Sequence, residues 1–405
     1  MKKNVFLLGA GAAIDWGGPT TNQITDSLIK QGPSNVKDEL IINYIYEYFN
    51  NGNTGIGKLN FEGLIDIIEQ CAQYWLSKNV NNTISTKLIS EDNEFWKNAF
   101  SEQYISKYRN YDPKLSPNAN FFSKLLLDCY EMVIFHIRQY SQFTENMNKI
   151  YCDKNNEINQ LAVQYFKEKS KDSYLRIYSL NYDRVIQTIL KKSSIPFFQG
   201  FNSENIVPSV GEMHQSVDSK RILTSLNENC IFHLHGNFCW RIDNTNPNGL
   251  DGYQIVNSYY NNPLENQGFQ YTSSEKNKPL FLTPIITGYS KVQRTNLTPF
   301  KQMASAFDID CHTADEIIII GYSFGDLHIN DTIRQARKNN ANVKITIISS
   351  PSNRKEILKK IAFDLTSNWA FYQDFIFEND KDEAYSKQFN LRVIFKYFKD
   401  YLKSQ

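Results

Sequence analysis

Residues 4–11 read Asn-Val-Phe-Leu-Leu-Gly-Ala-Gly, an apolar run that ends in a glycine turn, and this pattern decides the fold class. Residues 316–321 (Glu-Ile-Ile-Ile-Ile-Gly) repeat it, and residues 343–348 (Val-Lys-Ile-Thr-Ile-Ile) lead into a Ser-Ser-Pro turn. Short continuous apolar runs are typical of strands that are buried on both faces, as in a parallel sheet covered by helices. Residues 175–180 and 230–235 are two further candidate strands.

Helical patterns follow most of these turns. The segments near residues 20–30, 183–192, 328–338 and 352–361 have the composition and spacing of helices. Strands that alternate with helices predict a doubly wound, Rossmann-like α/β fold with a parallel sheet. Because such sheets bind ligands outside the carboxyl ends of their strands, a functional site is expected in the turns that follow the strands.

A long segment with helical spacing interrupts this pattern. A chain of 405 residues exceeds one ordinary core, so two domains or one domain with a large insertion is expected. Residues 1–30 and 172–362 are predicted to form the α/β domain, and residues 31–171 a helical insertion domain. Residues 363–405 are predicted to be a helical tail that packs on the core or mediates oligomerisation, with an amphipathic helix over residues 389–402.

Composition excludes several classes of protein. The chain has 44 Lys and Arg against 43 Asp and Glu, whereas dedicated nucleic-acid binders usually show a basic excess, so no direct nucleic-acid partner is expected. No apolar stretch approaches the ~20 residues of a membrane span, and the apolar run before Gly9 is too short for a signal peptide. The six cysteines form no C-x-x-C pair, which gives no zinc motif and suits a reducing compartment. A cytoplasmic protein without a metal or membrane contact is expected.

The first candidate motif is the turn Gly9-Ala10-Gly11, which directly follows the first predicted strand. Small residues let a backbone approach a phosphate group, and the next helix start offers free N–H donors. The dinucleotide fingerprint G-x-G-x-x-G is incomplete, because its third glycine position is Ile14. A tight strand-to-helix turn without a ligand is the alternative interpretation.

The second candidate motif is residues 179–183 (Ser-Leu-Asn-Tyr-Asp), at the end of a predicted strand. If strand geometry persists, Ser179, Asn181 and Asp183 face the same side, since side chains alternate with period two. Polar groups at this position would face a ligand at the sheet edge. Helix capping by Asn181 or Asp183 is the alternative.

The third candidate motif is His233-Leu234-His235-Gly236. A histidine with an ordinary pKa of about 6.5 can act as a general base near neutral pH. The two histidines would share a strand face, but no carboxylate or cysteine at useful spacing supports a metal site. A buried histidine with satisfied hydrogen bonds is the alternative for each, and the favoured one for His233.

The fourth candidate motif is residues 321–326 (Gly-Tyr-Ser-Phe-Gly-Asp), which match the nucleophile elbow G-x-S-x-G of serine hydrolases. That family requires an acid and then a histidine downstream of the serine. The only histidine after Ser323 is His328, five residues on, and it is too close to reach back over the elbow. A serine hydrolase is therefore not favoured.

The order of these motifs resembles the sirtuin family. The Gly9-Ala10-Gly11 turn is similar to its nucleotide loop, residues 179–183 to its Thr-Gln-Asn-x-Asp motif, His235-Gly236 to its catalytic His-Gly, and residues 321–323 to its Gly-Thr-Ser turn. Residues 321–330 more specifically resemble the divergent bacterial Sir2-like proteins of anti-phage defence. The resemblance covers roughly residues 1–30 and 172–360.

The sequence also departs from the family's protein deacylases. They generally carry two C-x-x-C pairs after the His-Gly, whereas here only Cys239 and Cys311 follow His235. Residues 20–22 (Thr-Thr-Asn) stand where the family has Asp-Phe-Arg, and Leu180 stands at the motif glutamine. These departures put deacylation in doubt, and resemblance to the defence branch implies NAD hydrolysis instead.

The resemblance implies NAD as the substrate, with Asn181 binding the ribose or orienting water and His235 acting as general base. Backbone N–H groups of the glycine turn are expected to hold the diphosphate. The residues expected to contact NAD are Gly9, Ala10, Gly11, Asp15, Thr20, Asp183, Gly321, Ser323 and Asp326.

The same resemblance implies partners. A homo-oligomer is expected, with a HerA-type ring ATPase or another defence protein as a possible partner. Three alternatives remain open at this point: a non-catalytic sensor that binds NAD or ADP-ribose, an assembly subunit of a defence complex, and an NAD-dependent protein deacylase.

Overall fold

The structure is a computed structural model that describes residues 1–31, 39–51, 59–76, 116–141, 153–202, 214–243, 254–258, 270–275, 278–287, 294–366, 369–378 and 382–405. Its strands are β1 (Lys2–Leu8), β2 (Ser173–Ser179), β3 (His214–Ser216), β4 (Cys230–His233), β5 (Trp240–Asp243), β6 (Gln254–Ser258), β7 (Gln270–Glu275), β8 (Lys278–Leu282), β9 (Glu316–Ile320), β10 (Lys344–Ser349), β11 (Ile376–Glu378), β12 (Glu383–Ser386) and β13 (Leu391–Phe395). Its α-helices are α1 (Thr21–Gln31), α2 (Glu39–Asn51), α3 (Phe61–Leu76), α4 (Pro117–Ser141), α5 (Asn156–Asp172), α6 (Val185–Lys192), α7 (Ser219–Thr224), α8 (Phe300–Thr313), α9 (Leu327–Asn339), α10 (Arg354–Thr366) and α11 (Phe398–Lys403). Short 3₁₀ helices cover Ala10–Trp16, Asp153–Asn155 and Trp369–Asp374. Among the helices of these ranges, none has the length and apolar character needed to cross a membrane.

Eight strands form one sheet in the order β11-β12-β13-β10-β9-β1-β2-β4. The six strands from β13 to β4 run parallel, and β12 and β11 add an antiparallel edge. From the central strand β1 the chain proceeds to β2 and β4 on one side, and later to β9, β10 and β13 on the other. This reversal of strand order defines a doubly wound, Rossmann-like fold, so the predicted fold class is confirmed. Two small antiparallel sheets, β3-β6-β5 and β7-β8, lie outside it.

The central strand is apolar throughout because both faces of the sheet are covered. Val5 and Leu7 pack into a core that includes residues of α8, α9 and α10. Phe6 and Leu8 point the other way, into a core that includes residues of α5, α6 and α11. A strand between two cores has no polar face, which explains why its sequence is a continuous apolar run.

The helices α1–α4, which we call the helical lobe, enclose a third core. Phe238 and Ile285, from the turns after β4 and β8, belong to the same core and join the lobe to the carboxyl edge of the sheet. A buried ion pair between Arg294 and Glu69 adds a polar link, and Arg294 Nη1 also donates to the Tyr130 hydroxyl at 3.0 Å. The predicted boundaries of the insertion stay a prediction, and large parts of it, including residues 77–115, lie outside the described residues.

The prediction of an amphipathic helix over residues 389–402 is wrong. Leu391–Phe395 form β13, which pairs in parallel with β10 and antiparallel with β12, and only Phe398–Lys403 are helical. The apolar spacing that suggested a helix comes from a strand buried on both faces, with Val393 in one core and Ile394 in the other. The C-terminal segment therefore completes the sheet and is not a helical tail.

Candidate active site

A cleft of about 480 Å³ opens at the carboxyl ends of β1, β2 and β9, beside the turn that follows β4. Residues at the start of α3 and the end of α4 supply a further wall from the helical lobe. The cleft lies where the strand order reverses, which is where doubly wound sheets bind ligands, and small-molecule sites span roughly 300–1,000 Å³. The polar side chains on its walls include Thr20, Glu62, Asn181, His235, Ser323 and Asp326.

The glycine turns after β1 and β9 pack backbone against backbone. Gly9 N donates to Ile320 O at 2.9 Å, and Gly11 N donates to Gly321 O at 2.9 Å. A Cβ on Gly11 would lie 2.7 Å from Gly321 Cα, and a Cβ on Gly321 would lie 2.3 Å from Ala12 N. Glycine is required here for the contact between the two turns. The expectation that the Gly9 and Gly11 N–H groups hold a diphosphate is corrected, because both already donate to carbonyls.

The start of α1 offers other donors to the same cleft. Thr20 and Gln23 form a capping box, in which Gln23 N donates to Thr20 Oγ1 at 3.3 Å and Thr20 N donates to Gln23 Oε1 at 2.7 Å. Thr20, Thr21 and Asn22 line the cleft. The first N–H groups of a helix have no acceptor within it and carry partial positive charge, so this end of the cleft suits an anion.

Asn181 lies in the turn after β2, and its side chain faces the cleft. Its Nδ2 donates to Gly9 O at 2.9 Å, which ties the turn after β2 to the turn after β1. Its backbone N donates to Ser179 Oγ at 3.1 Å. The side-chain oxygen and the second amide hydrogen have no partner among the residues that the structure describes, so both are available to a ligand.

His235 lies in the turn after β4 and is only 3% exposed, yet it also lines the cleft. Its Nε2 is 4.0 Å from Oδ1 of Asp326, the residue that precedes α9. A carboxylate at this distance attracts an imidazolium, so Asp326 can stabilise the positive charge of a His235 that takes up a proton from a ligand. The structure thus places Asn181, His235 and Asp326, from three different turns, on the same cleft.

His233 has a different role from His235, although both belong to the His-Leu-His motif. Its Nδ1 donates to Asn181 O at 3.0 Å, and its Nε2 accepts from Asn237 Nδ2 at 3.2 Å. Burial lowers the pKa of His233 to about 4, so the ring is neutral at physiological pH. The favoured alternative from the sequence, a satisfied buried histidine, describes this residue.

Asp183 does not line the cleft, contrary to the expectation that it contacts NAD. Its Oδ1 accepts from Val185 N at 2.8 Å at the start of α6, and its Oδ2 accepts from the Tyr140 hydroxyl at 2.9 Å. Burial raises the pKa of this carboxyl group, and the two hydrogen bonds oppose the rise. β2 ends at Ser179, so strand alternation does not carry Asp183 to the ligand side. Asp183 is not the N-cap of α6, which is Arg184, but its carboxylate accepts from the first N–H group of that helix.

Asp15 also lies away from the cleft lining, so its expected contact with NAD is corrected. Its Oδ2 accepts from Lys399 N at 2.8 Å, at the start of α11. The chain forms a 3₁₀ helix here, which has three residues per turn. Ala10 and Ala13 therefore lie on one face of the helix and line the cleft, whereas Asp15 lies on another face.

The remaining predicted residues, Gly9, Ala10, Gly11, Thr20, Gly321 and Ser323, all line the cleft. Three further residues of the lining were not predicted from the sequence. Glu62 and Tyr140 come from the helical lobe, and the Tyr182 hydroxyl donates to Ile286 O at 2.8 Å. Neither lobe residue belongs to a recognisable local motif, so no sequence signal identified them. In the described part of the lining, two side chains are carboxylates and none is a lysine or arginine.

Candidate metal ligands and thiols can be compared only among the described residues. No group of three or more His, Cys, Asp or Glu side chains among the described residues is arranged to hold a metal ion. The five described cysteines are free, and burial raises the pKa of Cys129 and Cys230 to about 12, which keeps these thiols protonated. The sixth, Cys152, lies outside the described residues.

One segment of the chain is similar to a known family of domains. Residues 175–371, just under half of the chain, match the family described as SIR2-like domain. The matched segment contains Asn181, His235 and Asp326, whereas β1 and the helical lobe precede it. No curated protein matches the chain. Because SIR2-like domains bind NAD, the match supports an NAD-related function in general.

Proposed function

We propose that this cleft hydrolyses NAD⁺ at the bond between nicotinamide and ribose, giving nicotinamide and ADP-ribose. The observation that carries the proposal is the arrangement of two groups on one cleft. Asn181 presents a carboxamide oxygen that bonds to none of the described residues, and His235 presents an imidazole with a carboxylate, Asp326, 4.0 Å away. One group can hold a sugar hydroxyl or a water molecule while the other accepts a proton.

The charges on the cleft walls suit this substrate. The oxidised nicotinamide ring is a cation, and the sugar becomes an oxocarbenium-like cation as the bond breaks. Glu62 and Asp326 are the two carboxylates on the described walls. The pKa of the buried Tyr182 hydroxyl is raised mainly by desolvation and further by the negative charges of Glu62 and Asp326, so the fields of both carboxylates reach the part of the cleft beside Tyr182. The diphosphate then lies near the start of α1, the end of the cleft that suits an anion.

The chemical step needs no proton for the leaving group. The electron pair of the bond between C1 of the ribose and the ring nitrogen stays on nicotinamide, which becomes neutral. A water molecule forms the new bond to C1, and its proton passes to His235 and then to solvent. Asn181 accepts a hydrogen bond from a ribose hydroxyl or from this water. Asp326 stabilises the imidazolium, and general-base assistance of this kind is worth roughly 10²–10⁴-fold in rate.

The proposal is tested by nicotinamide release from purified protein. Asn181→Ala and His235→Ala are each expected to lower the rate by at least about 100-fold while the circular dichroism spectrum stays unchanged. The matched controls are Asn156→Ala, at the exposed start of α5, and His312→Ala, near the end of α8, neither of which lines the cleft. Wild-type rates in both Asn181→Ala and His235→Ala would rule out the assignment.

We further propose that NAD depletion by this protein acts in anti-phage defence in the bacterial cytoplasm, with a homo-oligomer or a ring ATPase partner as the active assembly. The resemblance of residues 321–330 to defence proteins supports this role. The expected result is protection of an expressing bacterial culture from phage, with a fall in cellular NAD after infection. Protection by His235→Ala at the wild-type level would contradict a role for NAD cleavage.

A further inference from the structure

The turn that carries Asn181 is bonded along its length to the turn that carries His235. Within residues 179–183, four backbone carbonyls accept hydrogen bonds from residues 233–238. The pairs are Leu234 N to Ser179 O at 2.9 Å, His233 Nδ1 to Asn181 O at 3.0 Å, Phe238 N to Tyr182 O at 3.0 Å, and Asn237 Nδ2 to Asp183 O at 3.1 Å. Two of these donors are backbone N–H groups, and two are side chains.

The two side-chain donors fix each other's orientation. A carbonyl only accepts, so the hydrogen of the neutral His233 ring must be on Nδ1, which leaves Nε2 as an acceptor. Asn237 supplies the matching donor, since its Nδ2 lies 3.2 Å from Nε2, and its own Oδ1 accepts from Cys239 N at 2.9 Å. His233 and Asn237 are 2% and 1% exposed, so water does not compete for these bonds.

We propose that His233 and Asn237 are positioning residues that hold the Asn181 peptide so that its carboxamide meets the cleft at a fixed place relative to His235. The inference rests on the proposed function, and it assigns a role to two residues that take no part in the proposed chemical step. Neither His233 nor Asn237 lines the cleft, so neither is a catalytic residue.

Positioning is needed because only one end of the Asn181 carboxamide, its Nδ2, is held by a hydrogen bond to a described residue. Its Nδ2 donates to Gly9 O, and the orientation of the rest of the amide depends on the peptide that carries it. Without the His233 donor, the Asn181 carbonyl keeps only the longer hydrogen bond from Ser179 Oγ, at 3.3 Å, and the turn can rotate. A misplacement of about 1 Å in a reacting group can cost about 100-fold in rate.

The test compares two substitutions at the same position. His233→Leu removes the donor, whereas His233→Asn places an amide N–H close to the position of Nδ1 and can restore the bond to Asn181 O. We expect His233→Leu to lower kcat for nicotinamide release by roughly 10–100-fold with KM changed less than about threefold, and His233→Asn to recover most of kcat. Unchanged kcat in His233→Leu, or equal losses in both variants, would overturn the proposal.

A second readout does not depend on turnover. The side-chain amide signal of Asn181 in nuclear magnetic resonance spectra is expected to shift in His233→Leu and to return toward its wild-type position in His233→Asn. Asn237→Leu, which removes the donor to Nε2, is expected to shift the same signal. If the wild-type protein releases no nicotinamide, the proposed function fails, but this signal still decides the positioning role. An unmoved Asn181 signal in His233→Leu would overturn it.

Discussion

At the scale of single residues, the role of each polar group follows from the bonds it already makes. His233 and His235 are two positions apart, but His233 has both ring nitrogens engaged by neighbouring residues, whereas His235 lines the cleft beside Asp326. The same principle separates Asn181, which keeps a carboxamide oxygen for a ligand, from Asp183, whose carboxylate is committed to Tyr140 and the start of α6. The sequence motifs identified the segments, but only the hydrogen bonds distinguish the residues that face the cleft from those whose polar atoms are bonded within the protein.

The first prediction concerns the dependence of stability on pH. The pKa of His233 falls from about 6.5 in an unfolded chain to about 4 in the folded protein because of burial. Between these values the unfolded chain binds a proton that the folded protein does not, so the stabilisation is present above pH 6.5 and is lost as the pH falls toward 4. Between pH 7 and pH 5, the wild-type protein should lose about 2 kcal/mol more of its free energy of unfolding than His233→Asn. Urea unfolding at the two pH values measures the difference, and equal losses would show that His233 is not held neutral.

The second prediction concerns the carboxylate next to His235. Asp326→Asn keeps the shape of the side chain and removes its charge, so the imidazolium that the proposed hydrolysis would form loses its counter-ion. We expect kcat for nicotinamide release to fall by roughly 10–100-fold, which corresponds to about 1.4–2.8 kcal/mol of transition-state stabilisation. Steady-state kinetics measures the change, with Asp331→Asn on the exposed side of α9 as the matched control. An unchanged kcat would remove Asp326 from the mechanism.

At the scale of elements, the site is assembled by turns that touch one another at the sheet edge. The turns after β1 and β9 are in backbone contact, and Asn181 links the turn after β2 to Gly9. The strands that lead into these turns were predictable from the sequence, because a strand buried on both faces is a continuous apolar run. The same rule explains why a helix was wrongly predicted at β13, because the apolar residues of a strand buried on both faces also fit helical spacing. Asp15 was expected at the site only from the resemblance, and its carboxylate instead accepts from Lys399 N at the start of α11.

The third prediction tests the contact between the glycine turns. Gly11→Ala would bring a Cβ to 2.7 Å from Gly321 Cα, a backbone atom that cannot move without disturbing β9. We expect the free energy of unfolding to fall by about 1–3 kcal/mol, as for other overpacked sites. Gly325→Ala is the matched control in the same region, because its Cβ would meet only Ser323 Oγ at 3.7 Å. Urea unfolding measures both variants, and equal stability of the two would contradict the contact.

At the scale of the whole molecule, the cleft is a joint product of the sheet and the helical lobe. The lobe contributes Glu62 and Tyr140 to the walls, and its core includes Phe238 and Ile285 from the sheet side. This arrangement was not predictable from the sequence, because the spacing of apolar residues marks helices but does not say which surface they cover. The motifs located the sheet side of the site, and long-range packing supplies the other side.

The fourth prediction concerns the buried ion pair that joins the lobe to the segment before α8. Arg294→Met leaves Glu69 as a buried carboxylate without its counter-ion, and burial already raises the pKa of Glu69. We expect a loss of about 3–5 kcal/mol in the free energy of unfolding. The double variant Arg294→Met with Glu69→Gln, which removes both charges, should recover much of that loss. A double variant no more stable than Arg294→Met would mean that the charge of Glu69 is not what destabilises the single variant.

The place of the reacting bond can be seen directly in a crystal structure of the His235→Ala protein with NAD⁺ bound. We expect the diphosphate to lie at the start of α1, and C1 of the nicotinamide ribose to lie between the Asn181 carboxamide and the space left by His235. NAD⁺ bound with this ribose out of reach of Asn181, or bound outside the cleft, would contradict the proposed site.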